Sequence, residues 1–217
     1  MNAAPAAAAR RQLLVFGRVP VPGRVKTRLI PALGPAGAAM VYQRLLHHAL
    51  HTASLLEATE ATFWCQACTA DPSACAALAE AYGLMVRNQP PGNLGTRMAQ
   101  ALHTATAGNA AAVLIGSDCP AYSDAYLRAA FAALSTHDAV LGPAADGGYV
   151  LIGVKRANPR LFEDIAWSTS EVLAQTRSRL RELAWRWTEL PTLRDIDAPA
   201  DLAAMAQLEP RREATLS

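Results

Sequence analysis

Residues 12–28 read Gln12-Leu13-Leu14-Val15-Phe16-Gly17-Arg18-Val19-Pro20-Val21-Pro22-Gly23-Arg24-Val25-Lys26-Thr27-Arg28. The opening run is short, mostly apolar and closed by glycine, which predicts a buried strand over Gln12–Gly17. Two glycines and two prolines then break any regular element, so the strand gives way to a stiff loop whose backbone can approach a ligand closely. Arg18, Arg24, Lys26 and Arg28 place four cations within eleven residues of that loop, a density suited to a di- or triphosphate. The spacing excludes a Walker A loop, because Gly23 is followed by Arg-Val before Lys-Thr. The competing reading is a solvated basic loop, and the position directly after a strand weighs against it.

Further apolar runs recur at Ala61–Gln66, Leu84–Asn88, Ala111–Gly116, Ala139–Gly142 and Tyr149–Val154. Helical patterns separate most of them: Gly34–Glu57, Pro72–Tyr82, Leu94–Ala107 and Ser123–Leu134. Alternating strands and helices imply βαβ units, hence a largely parallel sheet covered on both faces. A helix near Ser170–Leu183, a strand near Trp185–Leu190 and a helix near Pro199–Leu208 complete the chain. The expected class is α/β, a three-layer Rossmann-like arrangement with a mostly parallel mixed sheet. Residues 12–208 are expected to form one domain, with 1–11 and 209–217 as flexible tails.

At 217 residues the chain is long enough for a full core, and 52% hydrophobic with 18% charged residues fits a compact protein rather than a disordered one. A formal charge of +2 without a long basic run argues against nucleic acid as a partner. Arg10 and Arg11 are followed by too short an apolar run, Leu13 to Phe16, for a twin-arginine signal. No segment reaches the ~20 apolar residues of a membrane span, so a cytoplasmic location is expected. The cysteines are Cys65, Cys68, Cys75 and Cys119. Cys65 and Cys68 match a redox spacing, but no helix start at Cys68 would lower a thiol pKa, and a fourth zinc ligand is missing. Ordinary reduced thiols are the expectation.

Ligands of open parallel sheets gather at the carboxyl ends of strands, and three more segments fall there. Val113-Leu114-Ile115-Gly116-Ser117-Asp118-Cys119-Pro120 ends an apolar strand in a carboxylate, a hard oxygen ligand suited to Mg²⁺ or Mn²⁺ shared with phosphate. Its alternative is a turn or helix cap. Asp146, in Gly142-Pro143-Ala144-Ala145-Asp146-Gly147-Gly148-Tyr149, is a candidate base or acceptor anchor, or part of a tight hairpin. Asp195 or Asp197, ahead of the last helix, is a candidate second metal ligand opposite Asp118, and alternation along an extended segment does not choose between them. Arg97, near a helix start, is a phosphate or base candidate. Trp167 could lie against a sugar ring or belong to the core. His47, His48 and His51 share a helix without sequence-adjacent carboxylates and are not expected to be ligands.

These motifs, in this order, resemble the bacterial nucleotide-diphospho-sugar transferase family with the glycosyltransferase-A fold. Its members were formerly a domain of unknown function and are often described as arsenosugar-biosynthesis glycosyltransferases. The matches are Pro20–Leu29, Gly92–Met98, Gly116–Pro120, Gly142–Tyr149, Trp167–Thr169 and Asp195–Leu202, so the resemblance spans Leu13 to Met205. Arg18 stands where the family usually has Lys, and Asn93 and Thr96 replace acidic residues. The resemblance implies a metal-assisted transferase that takes a nucleotide sugar or an NTP and an unknown small-molecule acceptor. Gly17, Arg18, Gly23, Arg24, Lys26, Arg28 and Arg97 would bind nucleotide and phosphate; Tyr149, Trp167 and Thr169 would meet sugar or acceptor. Asp118 and Asp146 would be catalytic, and Asp118 with Asp195 or Asp197 would hold Mg²⁺ or Mn²⁺. Glycosyl transfer is the leading expectation. Nucleotidyl transfer, as in molybdenum-cofactor nucleotidyltransferases, is second, because Ser117-Asp118-Cys119 lacks an Asp-x-Asp pair; a non-catalytic nucleotide-binding protein is third.

Overall fold

The computed structural model describes residues 10–66, 71–108 and 110–208. Among the described residues seven strands form one sheet: β1 (Arg11–Arg18), β2 (Glu60–Gln66), β3 (Met85–Asn88), β4 (Ala111–Ile115), β5 (Ala139–Pro143), β6 (Tyr149–Val154) and β7 (Trp187–Glu189). Their spatial order is β3-β2-β1-β4-β6-β5-β7. β6 alone is antiparallel, to β4 on one side and β5 on the other. A short connection between β5 and β6 forces this reversal, since a parallel neighbour needs a long crossover.

Period-two alternation sends β1 side chains to two separate cores. Leu13 and Val15 pack with α1 (Ile30–Ser54), α2 (Pro72–Glu80) and α4 (Asp124–Ala133), whereas Leu14 and Phe16 pack with α3 (Leu94–Ala105) and α5 (Val172–Glu182). This is the expected three-layer α/β/α arrangement. Leu29, Leu45, Ile196 and Met205 form a third, smaller cluster that docks the C-terminal segment on α1.

Helix starts follow local chemistry. Asp71, Asn93 and Ser123 each accept a backbone N–H from three residues on, capping α2, α3 and α4. Gly34, at φ 69° and ψ 169°, interrupts α1 just before Pro35, so the regular helix begins where the sequence places it. Several element ends shift by one or two residues, as with β7, Trp187–Glu189 where Trp185–Leu190 is expected. Arg11 belongs to β1, not to a tail, and Pro199–Gln207 is a 3-10 helix. The remainder of the expected tails, 1–9 and 209–217, and Cys68 lie outside the described residues.

Among the described residues no helix is long and apolar enough to cross a membrane.

Candidate functional site

The chain runs outward from β1 to β3 and then returns to the other side of β1 as β4. That reversal leaves a crevice beyond the carboxyl ends of β1 and β4, where open α/β sheets bind ligands. A cleft of about 680 Å³ lies there, bordered by the loop after β1, the turn after β4, the start of α3 and the 167–169 segment.

The loop after β1 turns inward at Lys26, which adopts a left-handed conformation at φ 46° and ψ 45° ahead of a 3-10 turn, Thr27–Leu29. Buried Val25 and Leu29 flank it and tie the loop to the core. The Lys26 side chain is only 4% exposed, and its Nζ lies 3.2 Å from Asp118 Oδ1 and 2.8 Å from Asp197 Oδ1. Burial disfavours the ammonium, yet the two carboxylates outweigh it and raise its pKa. Asp118 Oδ1 is itself buried and has no other partner in good hydrogen-bond geometry. Arg28 stands farther off, with Nη1 3.8 Å from Asp197.

Backbone bonds set the two carboxylates side by side. The Ile196 N–H donates to the Asp118 carbonyl at 3.0 Å. Asp201 Oδ2 accepts the N–H groups of Asp197 and Ala198 at 3.1 and 2.8 Å, fixing the strand-like segment before the last helix. The structure thereby distinguishes the two later aspartates. Asp197 borders the cleft beside Asp118, while Asp195 is not among the cleft-lining residues. Burial, then the charges of Asp146 and Asp197, push the Asp195 carboxyl up to about 6. Asp146 borders the cleft and also serves the hairpin, its Oδ1 accepting the Gly148 N–H at 2.9 Å.

Beneath the loop, Tyr42 on α1 joins β1 to β4. Its hydroxyl accepts the Arg18 N–H at 3.0 Å and lies 2.9 Å from Ser117 Oγ. A Cβ on Gly17 would sit 3.0 Å from both Leu46 and Phe63 and 3.3 Å from Ser117 Oγ, so it would fit only if those side chains gave way. The first backbone N–H of the loop is thus spent on the scaffold, and Gly17 borders the cleft chiefly as a packing residue.

On the opposite wall, Gln89 donates to the carbonyls of Gly17 and Trp64 at 3.1 and 2.9 Å, and its Oε1 accepts from Arg97 Nη1 at 2.8 Å. The guanidinium is thereby aimed, and its Nε is buried without a partner. Burial, then the nearby Arg18, lower the Arg97 pKa. Arg18, Arg24 and Arg97 all border the cleft and make no ion pair among the described residues. Trp167 packs on Gly95, where a Cβ would fall 2.7 Å from the indole, and stacks on Phe162 at 6.5 Å. Ser168 beside it holds a φ of 67°. Thr169 Oγ1 donates to the Ala166 carbonyl at 2.7 Å. Tyr149 borders the cleft, and its hydroxyl is buried.

The sequence candidates therefore gather around one cleft, apart from Asp195 and from Gly23, whose φ of 79° shapes the loop tip. Tyr42, Gln66 and Gln89 also reach the cleft surface and carried no assignment from sequence. Gln66 ends a predicted strand and Gln89 directly follows one, both at the carboxyl edge, a signal that was available; Tyr42, one aromatic on a long helix, gave none. The histidines of α1 make structural contacts: His47 Nδ1 lies 2.6 Å from the Tyr82 hydroxyl and His48 Nε2 lies 2.9 Å from the Tyr122 carbonyl. Burial pushes the Cys119 thiol up to about 12, which leaves it protonated near neutral pH.

Among the described residues no group of three or more His, Cys, Asp or Glu side chains is placed to hold a metal ion. Mg²⁺ bound with substrate phosphates requires only one or two carboxylates. Asp118 and Asp197, which already share the Lys26 ammonium, supply that donor set, so the residues fit a phosphate-bound divalent cation.

The sheet order and the position of this cleft define an α/β/α fold of the type found in nucleotide-dependent transferases. The chain belongs to the bacterial family described as "Uncharacterized protein conserved in bacteria (DUF2064)", whose profile matches residues 49–169. It is similar to the crystal structure of a candidate nucleotide-diphospho-sugar transferase from Desulfovibrio desulfuricans G20, with 31% identity over 88% of this chain and 83% of that one and a TM-score of 0.80. The fold is shared with 4-diphosphocytidyl-2C-methyl-D-erythritolsynthase from Anaerococcus prevotii DSM 20548, at 10% identity, 93% and 99% coverage and a TM-score of 0.61. It is also shared with Rv0371c of Mycobacterium tuberculosis H37Rv in complex with manganese, at 17% identity, 94% and 100% coverage and a TM-score of 0.50. No curated protein matches the sequence.

Proposed function

We propose that the protein transfers a glycosyl group from a nucleotide diphosphate sugar to a small-molecule acceptor. One observation carries the reading. Asp118 and Asp197 meet on a single cation at the edge of a cleft that Arg18, Arg24 and Arg97 also border, without ion-pair partners among the described residues. Paired carboxylates sharing a cleft with guanidiniums suit a ligand that is itself a polyanion with a bound cation. The likeness to a candidate nucleotide-diphospho-sugar transferase supports the same class.

In this reading Arg18, Arg24 and Arg97 hold the diphosphate, with Arg97 oriented by Gln89. Asp118 and Asp197 would hold Mg²⁺ or Mn²⁺, which supplies charge neutralisation at the leaving diphosphate. The Trp167 ring offers an apolar face to the sugar. Asp146 keeps one oxygen on the Gly148 N–H and uses the other to accept the proton of the acceptor nucleophile if configuration is inverted.

Nucleotidyl transfer is the second reading. It is favoured by the single aspartate at the end of β4, whose carboxylate partner comes from Asp197 and not from an adjacent Asp-x-Asp pair. A thermal-shift screen of NTPs against UDP-, GDP- and dTDP-sugars, with and without Mn²⁺, followed by product analysis, tests both. Glycosyl transfer requires preference for a sugar nucleotide and release of NDP. NTP preference with pyrophosphate release would replace it by nucleotidyl transfer, and stabilisation by neither class would overturn both.

A further inference from the structure

Lys26 lies on the carboxylates that would serve a metal, rather than among the cations that would serve phosphate. Its side chain is almost wholly buried, whereas Asp118 and Asp197 are 42% and 44% exposed, so the ammonium meets them from the protein side and leaves them open toward the cleft. Such an arrangement differs from an ordinary surface ion pair, because one buried cation compensates two anions that also border a ligand cleft.

We propose that Lys26 competes with the divalent cation for Asp118 and Asp197, holding the two carboxylates until nucleotide phosphates draw its ammonium away. The inference rests on the metal-binding role given to these carboxylates above. A divalent cation placed on oxygens that still touch an ammonium meets strong like-charge repulsion, and the effect is large because the site is partly desolvated. Phosphate oxygens offer the ammonium an alternative partner, which frees both carboxylates in the same event. Nucleotide and metal therefore bind together, and each raises the affinity of the other.

The backbone supplies an independent observation. Lys26 is a non-glycine residue in the left-handed region, an uphill conformation that persists only where the surroundings hold it. Here the holding contacts are the two ion pairs, together with the 2.8 Å bond from the Leu29 N–H to the Lys26 carbonyl. Giving up the carboxylates relaxes the side-chain anchor while the 3-10 turn and the buried Leu29 keep the loop in place. Arg28, 73% exposed and 3.8 Å from Asp197, remains nearby to offset part of the lost charge.

The test is titration of Mn²⁺ alone, followed by electron paramagnetic resonance of the free ion, on wild type, Lys26→Met, Lys26→Arg and the double variant Lys26→Met with Asp118→Asn. Removing the ammonium should tighten Mn²⁺ binding roughly tenfold or more. Lys26→Arg, which keeps the charge, should match wild type, and adding Asp118→Asn should erase the gain. If Lys26→Met does not fold by circular dichroism, Lys26→Gln takes its place, since it removes the charge and retains polar contacts. A neutral variant that binds Mn²⁺ no more tightly than wild type overturns the inference. Wild-type affinities for CTP and UDP-glucose, measured with and without Mn²⁺, separate this from the underlying reading. Indifference of both nucleotides to Mn²⁺ overturns the metal role and the competition together, whereas an Mn²⁺ response without the gain in the neutral variant overturns the competition alone.

Discussion

Tyr42→Phe removes one hydroxyl that joins the start of the loop after β1 to the turn after β4. Tyr42 and Ser117 are each 4% exposed, so water does not replace what is lost. The substitution leaves the Arg18 N–H without its 3.0 Å acceptor and Ser117 Oγ without its 2.9 Å partner. Orphaning a buried polar group costs about 1–3 kcal/mol. Ser117 can rotate its hydroxyl toward another acceptor and the Arg18 amide cannot, so we expect a loss of about 2 kcal/mol. Equilibrium urea unfolding reads this as a lower midpoint at unchanged slope. Ser117→Ala alone should cost about 1 kcal/mol. The double variant should lose less than the two single losses combined, by about 0.5–1 kcal/mol, because the pair shares one hydrogen bond. A Tyr42→Phe protein within about 0.5 kcal/mol of wild type, or strict additivity in the cycle, would refute the view that this hydroxyl fastens the loop.

Three further outcomes follow from particular contacts. Gly95→Ala should displace Trp167, because the new Cβ falls 2.7 Å from the indole and 2.9 Å from the Phe162 carbonyl; overpacking of this kind costs about 1–3 kcal/mol, and tryptophan fluorescence with ligand affinity registers the shift. Arg97→Ala should weaken nucleotide binding by about 1.5–3 kcal/mol by calorimetry while leaving the unfolding midpoint nearly unchanged. Glu189 accepts two bonds from Arg177, at 2.8 and 2.7 Å, and this pairing lowers its pKa below the ordinary 4.5. The stability it contributes is present above pH 4.5 and lost as pH falls through the lower folded value. Glu189→Gln should therefore cost about 1 kcal/mol near neutral pH, with a difference from wild type that closes in acid.

The strands were legible because burial on both faces demands apolar runs bounded by turn residues, and Tyr149–Val154 appears in the structure as read. Its direction was harder. The chain from Gly142 to Tyr149 is too short for a crossover, yet a strand-helix alternation elsewhere favours a parallel reading. The sequence predicts a helix near Pro199–Leu208; the segment winds as a 3-10 helix over Pro199–Gln207, and Met205 and Leu208 join Ile196 in the cluster with Ala38 and Leu45 of α1.

Within the site, sequence indicated which loops would meet but not which atoms. Lys26 was grouped with three arginines as a phosphate ligand because charge and spacing do not reveal side-chain direction. In the structure it adopts a left-handed backbone and its ammonium lies on Asp118 and Asp197. Asp195 and Asp197 share one face of an ideal strand, so periodicity could not separate them. The N–H groups of Asp197 and Ala198 donate to Asp201 Oδ2, and in the structure Asp197, not Asp195, borders the cleft. Gln89 was overlooked because its function is to aim Arg97, a relation between residues that no single-sequence pattern records.

The central claim is that Asp118 and Asp197 together bind the cation that accompanies a nucleotide diphosphate. Calorimetric affinity for the preferred nucleotide, with and without Mn²⁺, in wild type, Asp118→Asn, Asp197→Asn and Asp195→Asn tests it most directly. The account expects Mn²⁺ to strengthen binding in wild type and in Asp195→Asn, and to lose that effect in both Asp118→Asn and Asp197→Asn while each variant remains folded. A full Mn²⁺ response in either Asp118→Asn or Asp197→Asn would contradict it.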